Sequence, residues 1–409
     1  MTPMPPRQAI AVFMAFAFAY FLSTLVRAIT ATLAPTLVAE FALNARDLGL
    51  LAGGYFLGFA ATQLPLGTWL DRFGPKRVIL WFLSIAVVGS VAFSQASSFT
   101  GLLAARVLCG VGVSACLMAP LTGYRRWFDP ANLMRSNSWM LMVGAMGMVA
   151  STLPVQWLIG ITGWRPIFLG LGALVALAMA MIAWQVPAWE KAQTPTLANS
   201  GVAEAPGYGE IWRNPYFRKV VPFGFFNYGG MVAMQTLWAA PWMVKVAGYS
   251  PNQAAIGLFW INVAMLLTFL LWGSINPLLA RKGYSVERLV RYGTPVTFTI
   301  FATIVIAGDA LSTGAGLAWL LFCVSSTVGA QVQPSVGMAF RPGLAGRALS
   351  AFNLVIFAGV FSVQWGVGLL IDGFRSTGML EILAYQCAMG VYGLCCGAAY
   401  LYLLMAKKP

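Results

Sequence analysis

Apolar runs of about 20 residues or more return along almost the whole chain, with short clusters of Lys and Arg between them. A bilayer hydrocarbon core of roughly 30 Å is crossed by about 20 helical residues, so each run predicts one membrane-spanning helix. The runs fall at 9–38, 48–69, 77–96, 99–123, 131–160 and 165–187, then at 219–245, 253–275, 287–308, 314–337, 347–371 and 379–405. Hydrophobic residues make up 59% of the chain and charged residues 9%, a composition that lipid rather than water must solvate. The expected fold class is therefore an all-α membrane protein with twelve transmembrane helices.

One long polar stretch, 188–214, interrupts this pattern and divides six spans from six. Its Pro187, Pro195, Gly201, Pro206, Gly207 and Gly209 among small polar residues predict a flexible cytoplasmic linker. The expected domains are thus a six-helix bundle at 1–187, the linker, and a second bundle at 215–409. An internal repeat supports the division. VQWLIG from Val155 returns as VQWGVG from Val363, an offset of 208, and the loops beginning at Gly67 and near Gly273 give 206. Two parallel six-helix pseudo-repeats about an axis normal to the membrane are the expected arrangement.

With a cytoplasmic amino terminus, 19 of the 25 Lys and Arg residues fall in inside segments. Arg27, Arg46, Arg106, Arg165, Lys245 and Arg375 alone lie outside or within spans. Basic flanks resist translocation, so this asymmetry predicts both termini on the cytoplasmic side of a bacterial inner membrane. The net charge of +14 is spread over these clusters and forms no nucleic-acid patch. The expected partners are the lipid bilayer and a small-molecule substrate, for a chain acting as a monomer. Arg7 before the first run resembles the start of a signal peptide, but that run continues to about Val38 and contains Arg27. It is expected to be a retained first helix.

Six cysteines lie inside apolar runs and are expected to be free thiols. The chain has no histidine, which removes the usual zinc ligand and the usual proton shuttle near neutral pH. No catalytic constellation, phosphate loop or metal-ligand spacing is present. The expectation is no enzyme activity, no cofactor and no metal; a non-transporting sensor is the alternative of another class.

Residues 67–77 read GTWLDRFGPKR, which closely resembles the signature loop between helices two and three of the major facilitator superfamily. Further matches are Arg106 with Gly110 and Gly112 in the fourth span, GWRPIF from Gly163, and GRALSAFN from Gly346. The resemblance covers nearly the whole chain and implies that family's twelve-helix fold and transport by alternating access. In the loop, Gly67 and Gly74 permit a tight turn and close helix approach, while Asp71, Arg72, Lys76 and Arg77 offer an ion-pair network. These residues are expected to form a gating latch that holds the cytoplasmic side shut, with Asp129 as the nearest acidic partner. Arg106 belongs with this machinery rather than with substrate. The second-half counterpart, GSINPLLARKG from Gly273, lacks the acidic residue.

An Arg deep in a span costs about 2.5–3.5 kcal/mol to insert, so it faces the bundle interior and has a partner or a role. Arg27 is such a residue. Tyr20, Ser23, Thr24, Arg27 and Thr30 recur at helical spacing and predict a polar stripe along the pathway. In the seventh span Asn227, Met231, Met234, Gln235, Trp238 and Trp242 form a corresponding stripe, and Gln331, Asn353 and Gln364 extend the lining. Acidic residues such as Glu287, Asp309, Asp372 and Glu381 fall at predicted span ends, so a cation would lack a counter-charge. The expected substrate is a small organic anion held by Arg27 through charge-assisted hydrogen bonds. The alternatives are a riboflavin-like aromatic metabolite, copper bound by Met231, Met234, Met265 and cysteines, and efflux of drugs or metabolites. Protons are a candidate coupling ion, through Asp71, a residue at a span end or the substrate itself; facilitated diffusion and exchange stay open beside symport.

Overall fold

A computed structural model describes residues 4–188 and 208–406. The described residues form twelve helical segments in sequence: α1 (Pro6–Phe41), α2 (45–73), α3 (Pro75–Gln95), α4 (Phe99–Trp127), α5 (130–162) and α6 (Trp164–Gln185) in the first half. The second half holds α7 (215–245), α8 (Pro251–Arg281), α9 (Val286–Ala307), α10 (315–338), α11 (Pro342–Ser376) and α12 (Glu381–Met405). Apart from the terminal ends of some spans, these boundaries lie within a few residues of the apolar runs, because hydropathy sets where a helix can leave lipid.

The interiors of the spans are less regular than the runs suggest. α2 breaks at Thr62, α4 at Ser114 and α10 at Gln331, and α5 bends by 41° between Ala150 and Leu153. Two π-helical turns, Gly224–Gly229 and Met234–Trp238, interrupt α7. Helix starts follow local chemistry. Asn44 Oδ1 accepts from Asp47 N at 2.8 Å, Ser98 Oγ from Gly101 N at 3.2 Å and Ser285 Oγ from Arg288 N at 3.2 Å. Gly74, at φ 80°, makes the turn from α2 to α3, and Pro75 opens α3 with its preset φ.

Within the predicted linker, Tyr208–Arg213 forms a short helix. Ile211 is fully buried in a core with Phe217, Val220, Phe223 and Phe352 of the second half. Glu210 pairs with Arg341 at 3.0 Å, while the Tyr208 hydroxyl donates to Leu64 O of α2 at 3.3 Å. Residues 189–207 of the linker, including Lys191, Pro195, Gly201, Pro206 and Gly207, lie outside the described residues, as do Lys407 and Lys408.

The two halves meet along α2 and α11, which pack antiparallel. A Cβ at Gly49 would stand 2.3 Å from Gln364 O, and one at Gly368 the same distance from Ala45 O, so this seam requires glycine. At its end away from the chain termini, the Asp372 carboxylate accepts from Ala45 N at 3.2 Å and Arg46 N at 2.7 Å. α1 packs against α7 through 234–245, also on that far side. The halves are thus joined most tightly at the side opposite the termini.

Candidate functional site

α1 is buried over most of 15–34, and its polar residues serve two purposes. Thr24 Oγ1 donates to Gly144 O of α5 at 2.7 Å, and Ser23 Oγ to Val113 O of α4 at 3.4 Å, so both hold the first half together. The Tyr20 ring fills the space opposite Gly144. Arg27 instead projects toward the junction of the halves. Its guanidinium carbon lies 5.5 Å from the Phe59 ring of α2 and 5.7 Å from the Phe357 ring of α11. The phenols of Tyr55, Tyr20 and Tyr228 surround it. Four spans from both halves therefore build one aromatic enclosure around a single charge.

Among the described residues no carboxylate lies within 4.0 Å of Arg27 and no backbone carbonyl accepts its protons; Nε is buried without a hydrogen-bond partner. Cation–π contact with ring faces contributes roughly 0.5–2 kcal/mol, less than a guanidinium loses on leaving water.

Arg106 likewise has no carboxylate partner among the described residues, and its Nε and Nη2 are buried without a hydrogen-bond partner, but it faces the inside of the first half. It is 1% exposed, donates through Nη1 to Val26 O at 3.0 Å, and lies 5.1 Å above the Tyr55 ring. It ties α4 to α1 and α2 inside the first half. Tyr55 stands between the two arginines, its ring under Arg106 and its hydroxyl donating to Ser23 O at 3.3 Å. Two guanidiniums around one phenol, with no carboxylate beside them, give the site a positive potential that favours an anion.

The α7 stripe does not share one face. Asn227 Nδ2 donates to Cys396 O of α12 at 3.2 Å, Gln235 Nε2 to Asn262 Oδ1 of α8 at 2.9 Å, and Trp238 Nε1 to Gln364 O of α11 at 3.1 Å. Met231, Met234, Trp242 and Met265 are buried in packing. Gln364 Nε2 donates to Thr236 Oγ1 at 3.0 Å. Gln331 Oε1 accepts from Asn276 Nδ2 at 2.7 Å, and Asn353 Oδ1 from Gln333 Nε2 at 2.5 Å, giving amide pairs on α8, α10 and α11. Asn353 lies one helical turn from Phe357, on the same face of α11. The described residues contain no cluster of three His, Cys, Asp or Glu side chains placed to hold a metal ion.

At the terminal side, Asp71 is exposed and forms no ion pair among the described residues. The Arg72 guanidinium lies 5.2 Å from the Phe73 ring, Arg77 is exposed and Lys76 half-buried. Gly67 sits inside the helix, with nothing within 4 Å of where a Cβ would be. Asp129 is exposed just past the end of α4.

Sequence reasoning passed over Tyr55, Phe59, Tyr228 and Phe357. One signal was available: Tyr55 and Phe59 stand four apart, hence on one helix face, in a stretch otherwise of small and aliphatic residues broken only by Phe56.

Residues 16–404 match the profile of the Major Facilitator Superfamily. The chain belongs to that superfamily. Its fold agrees with that of a bacterial homologue of the human lysosomal transporter Spinster in an inward-facing, unoccupied conformation, with a TM-score of 0.77 at 18% identity over 98% of this chain and 97% of that one. A D-xylose-proton symporter gives 0.77 at 14% identity, covering 98% of each chain. Among curated superfamily relatives, a probable sulfoacetate transporter, SauU, of Cupriavidus necator is 24% identical over 58% of this chain and 57% of its own length. Probable anion transporter 4, chloroplastic, of Oryza sativa subsp. japonica is 22% identical over 79% of this chain. The match again spans 57% of that relative's length.

Proposed function

We propose that this superfamily member is a secondary transporter that carries a small organic anion between its two halves, with Arg27 as the anion-binding group. The observation that carries this reading is the guanidinium that faces both halves with no carboxylate partner among the described residues. Nature keeps such a charge unpaired in a membrane protein where a ligand completes it. A carboxylate or sulfonate would accept two parallel N–H bonds from the guanidinium fork. The rings of Tyr20, Tyr55, Phe59, Tyr228 and Phe357 would exclude water and strengthen that pairing. The similarity to relatives named as sulfoacetate and anion transporters supports the same substrate class.

Alternating access follows from rocking of the bundles 1–187 and 215–409 about the α2–α11 seam, with both termini in the cytoplasm. Asp71, Arg72, Lys76 and Arg77 would close the terminal side in the opposite conformation, which accounts for Asp71 being unpaired while the far side is shut. Uniport or exchange needs no titratable carboxylate at the site; proton symport would use Asp71, a span-end carboxylate or the substrate.

The test is ligand-dependent stabilisation of the purified protein by a panel of carboxylates, sulfonates, flavins and Cu(I). The expected result is stabilisation by one class of anion, lost in Arg27→Gln. Stabilisation by flavin or Cu(I) alone, undiminished in Arg27→Gln, would contradict the proposal.

A further inference from the structure

Spans α7, α9, α10 and α12 line a cavity of about 20 Å³. Its polar lining is Asn227, Thr294, Thr297, Ser326, Tyr392 and Cys396, set among phenylalanine rings. On the α7 and α12 side these groups are bonded to protein. Phe226 O, in the π-helical turn Gly224–Gly229, accepts from Gly230 N and also from the Tyr392 hydroxyl at 3.3 Å and Cys396 Sγ at 3.4 Å. Asn227 Nδ2 donates to Cys396 O at 3.2 Å. On the α9 side, Thr294 and Thr297 are 3% and 7% exposed, yet neither hydroxyl has a hydrogen-bond partner.

Buried hydroxyls are almost always bonded, to protein or to water, because an unsatisfied one is costly. Threonine on a helix usually donates to a carbonyl one turn back, as Thr299 does to Pro295 O at 3.1 Å and Thr303 to Thr299 O at 2.9 Å in this same span. That Thr294 and Thr297 do otherwise points to a partner in the cavity they line. A water needs about 10–15 Å³ of such volume, so the cavity has room for one.

We infer that a single structural water binds here, accepting from the Thr294 and Thr297 hydroxyls and donating to Asn227 Oδ1 and Ser326 Oγ. The two threonine hydroxyls supply donors without a protein partner, and Ser326 Oγ, whose own proton goes to Phe322 O at 2.6 Å, keeps a lone pair to accept. A cation fits less well, since no carboxylate lines the space and an unpaired ion in so apolar a setting is strongly disfavoured. The water joins α9 to the α7–α12 junction at the π-helical turn.

Two measurements test this. A structure of the native protein at a resolution that shows ordered waters should contain one peak within hydrogen-bond reach of both threonine hydroxyls; a cavity without density would overturn the inference. Thr294→Val and Thr297→Val preserve shape and remove one donor each. With a water present, each lowers the thermal midpoint in detergent by about 2 °C or more, whereas in a dry cavity each raises it by relieving an orphan hydroxyl. A native midpoint that rises when sodium replaces choline at constant ionic strength, and does not in the Val variants, would replace the water with a cation.

Discussion

A guanidinium in a span was legible from sequence because charge inside an apolar run has so few explanations. The rings around it were not. Tyr55, Phe59, Tyr228 and Phe357 look like ordinary packing until helices from both halves bring them to one charge. The directions of the α7 side chains were not legible for a different reason: the π-helical turns at Gly224–Gly229 and Met234–Trp238 depart from a constant helical period, and Asn227, Gln235 and Trp238 bond to α12, α8 and α11. Hydrogen bonds to a charged group contribute about 1.5–3 kcal/mol, so Arg27→Gln should weaken anion binding roughly 10- to 100-fold by isothermal calorimetry. Arg27→Lys should fall between, keeping the charge and losing the two-pronged geometry. Equal affinities in all three proteins would remove Arg27 from the site.

At the level of elements, the twelve spans were readable because lipid thickness and hydropathy set their lengths, while the breaks at Thr62, Ser114 and Gln331 were not, since hydropathy averages over a kink. Close helix approach is where glycine matters. A Cβ at Gly110 would stand 1.9 Å from Tyr55 O, so Gly110→Val should force α2 from α4. Overpacking of this kind costs about 1–3 kcal/mol or more, and a marked loss of monodisperse protein in size-exclusion chromatography is expected. At the seam, Asp372 places a carboxylate on the first two amides of α2 from across the halves. A charge at a helix N-terminus contributes about 1 kcal/mol, so Asp372→Asn should raise the far-side-open population about fivefold. Spin labels at Leu43 and Thr377 would report it as a growing long-distance component; an unchanged distribution would show that Asp372 does not hold the seam.

For the whole molecule, the proposed function makes the space around Arg27 a passage that closes on one side before opening on the other. The halves meet on the far side at the α2–α11 seam and the α1–α7 contact, and on the proposed reading the terminal-side residues Asp71 and Arg72, which form no ion pair among the described residues, engage in the opposite state. Asp71→Asn should therefore lower the turnover of transport several-fold while leaving the affinity for substrate unchanged, as read from initial rates against concentration; a matching loss of affinity would place Asp71 in the binding site instead. Uptake of a labelled organic anion into proteoliposomes, native protein beside an Arg27→Ala variant of equal thermal midpoint, tests the central claim most directly. Saturable uptake by the native protein and none above empty liposomes in the variant is the predicted result; equal uptake by both would contradict it.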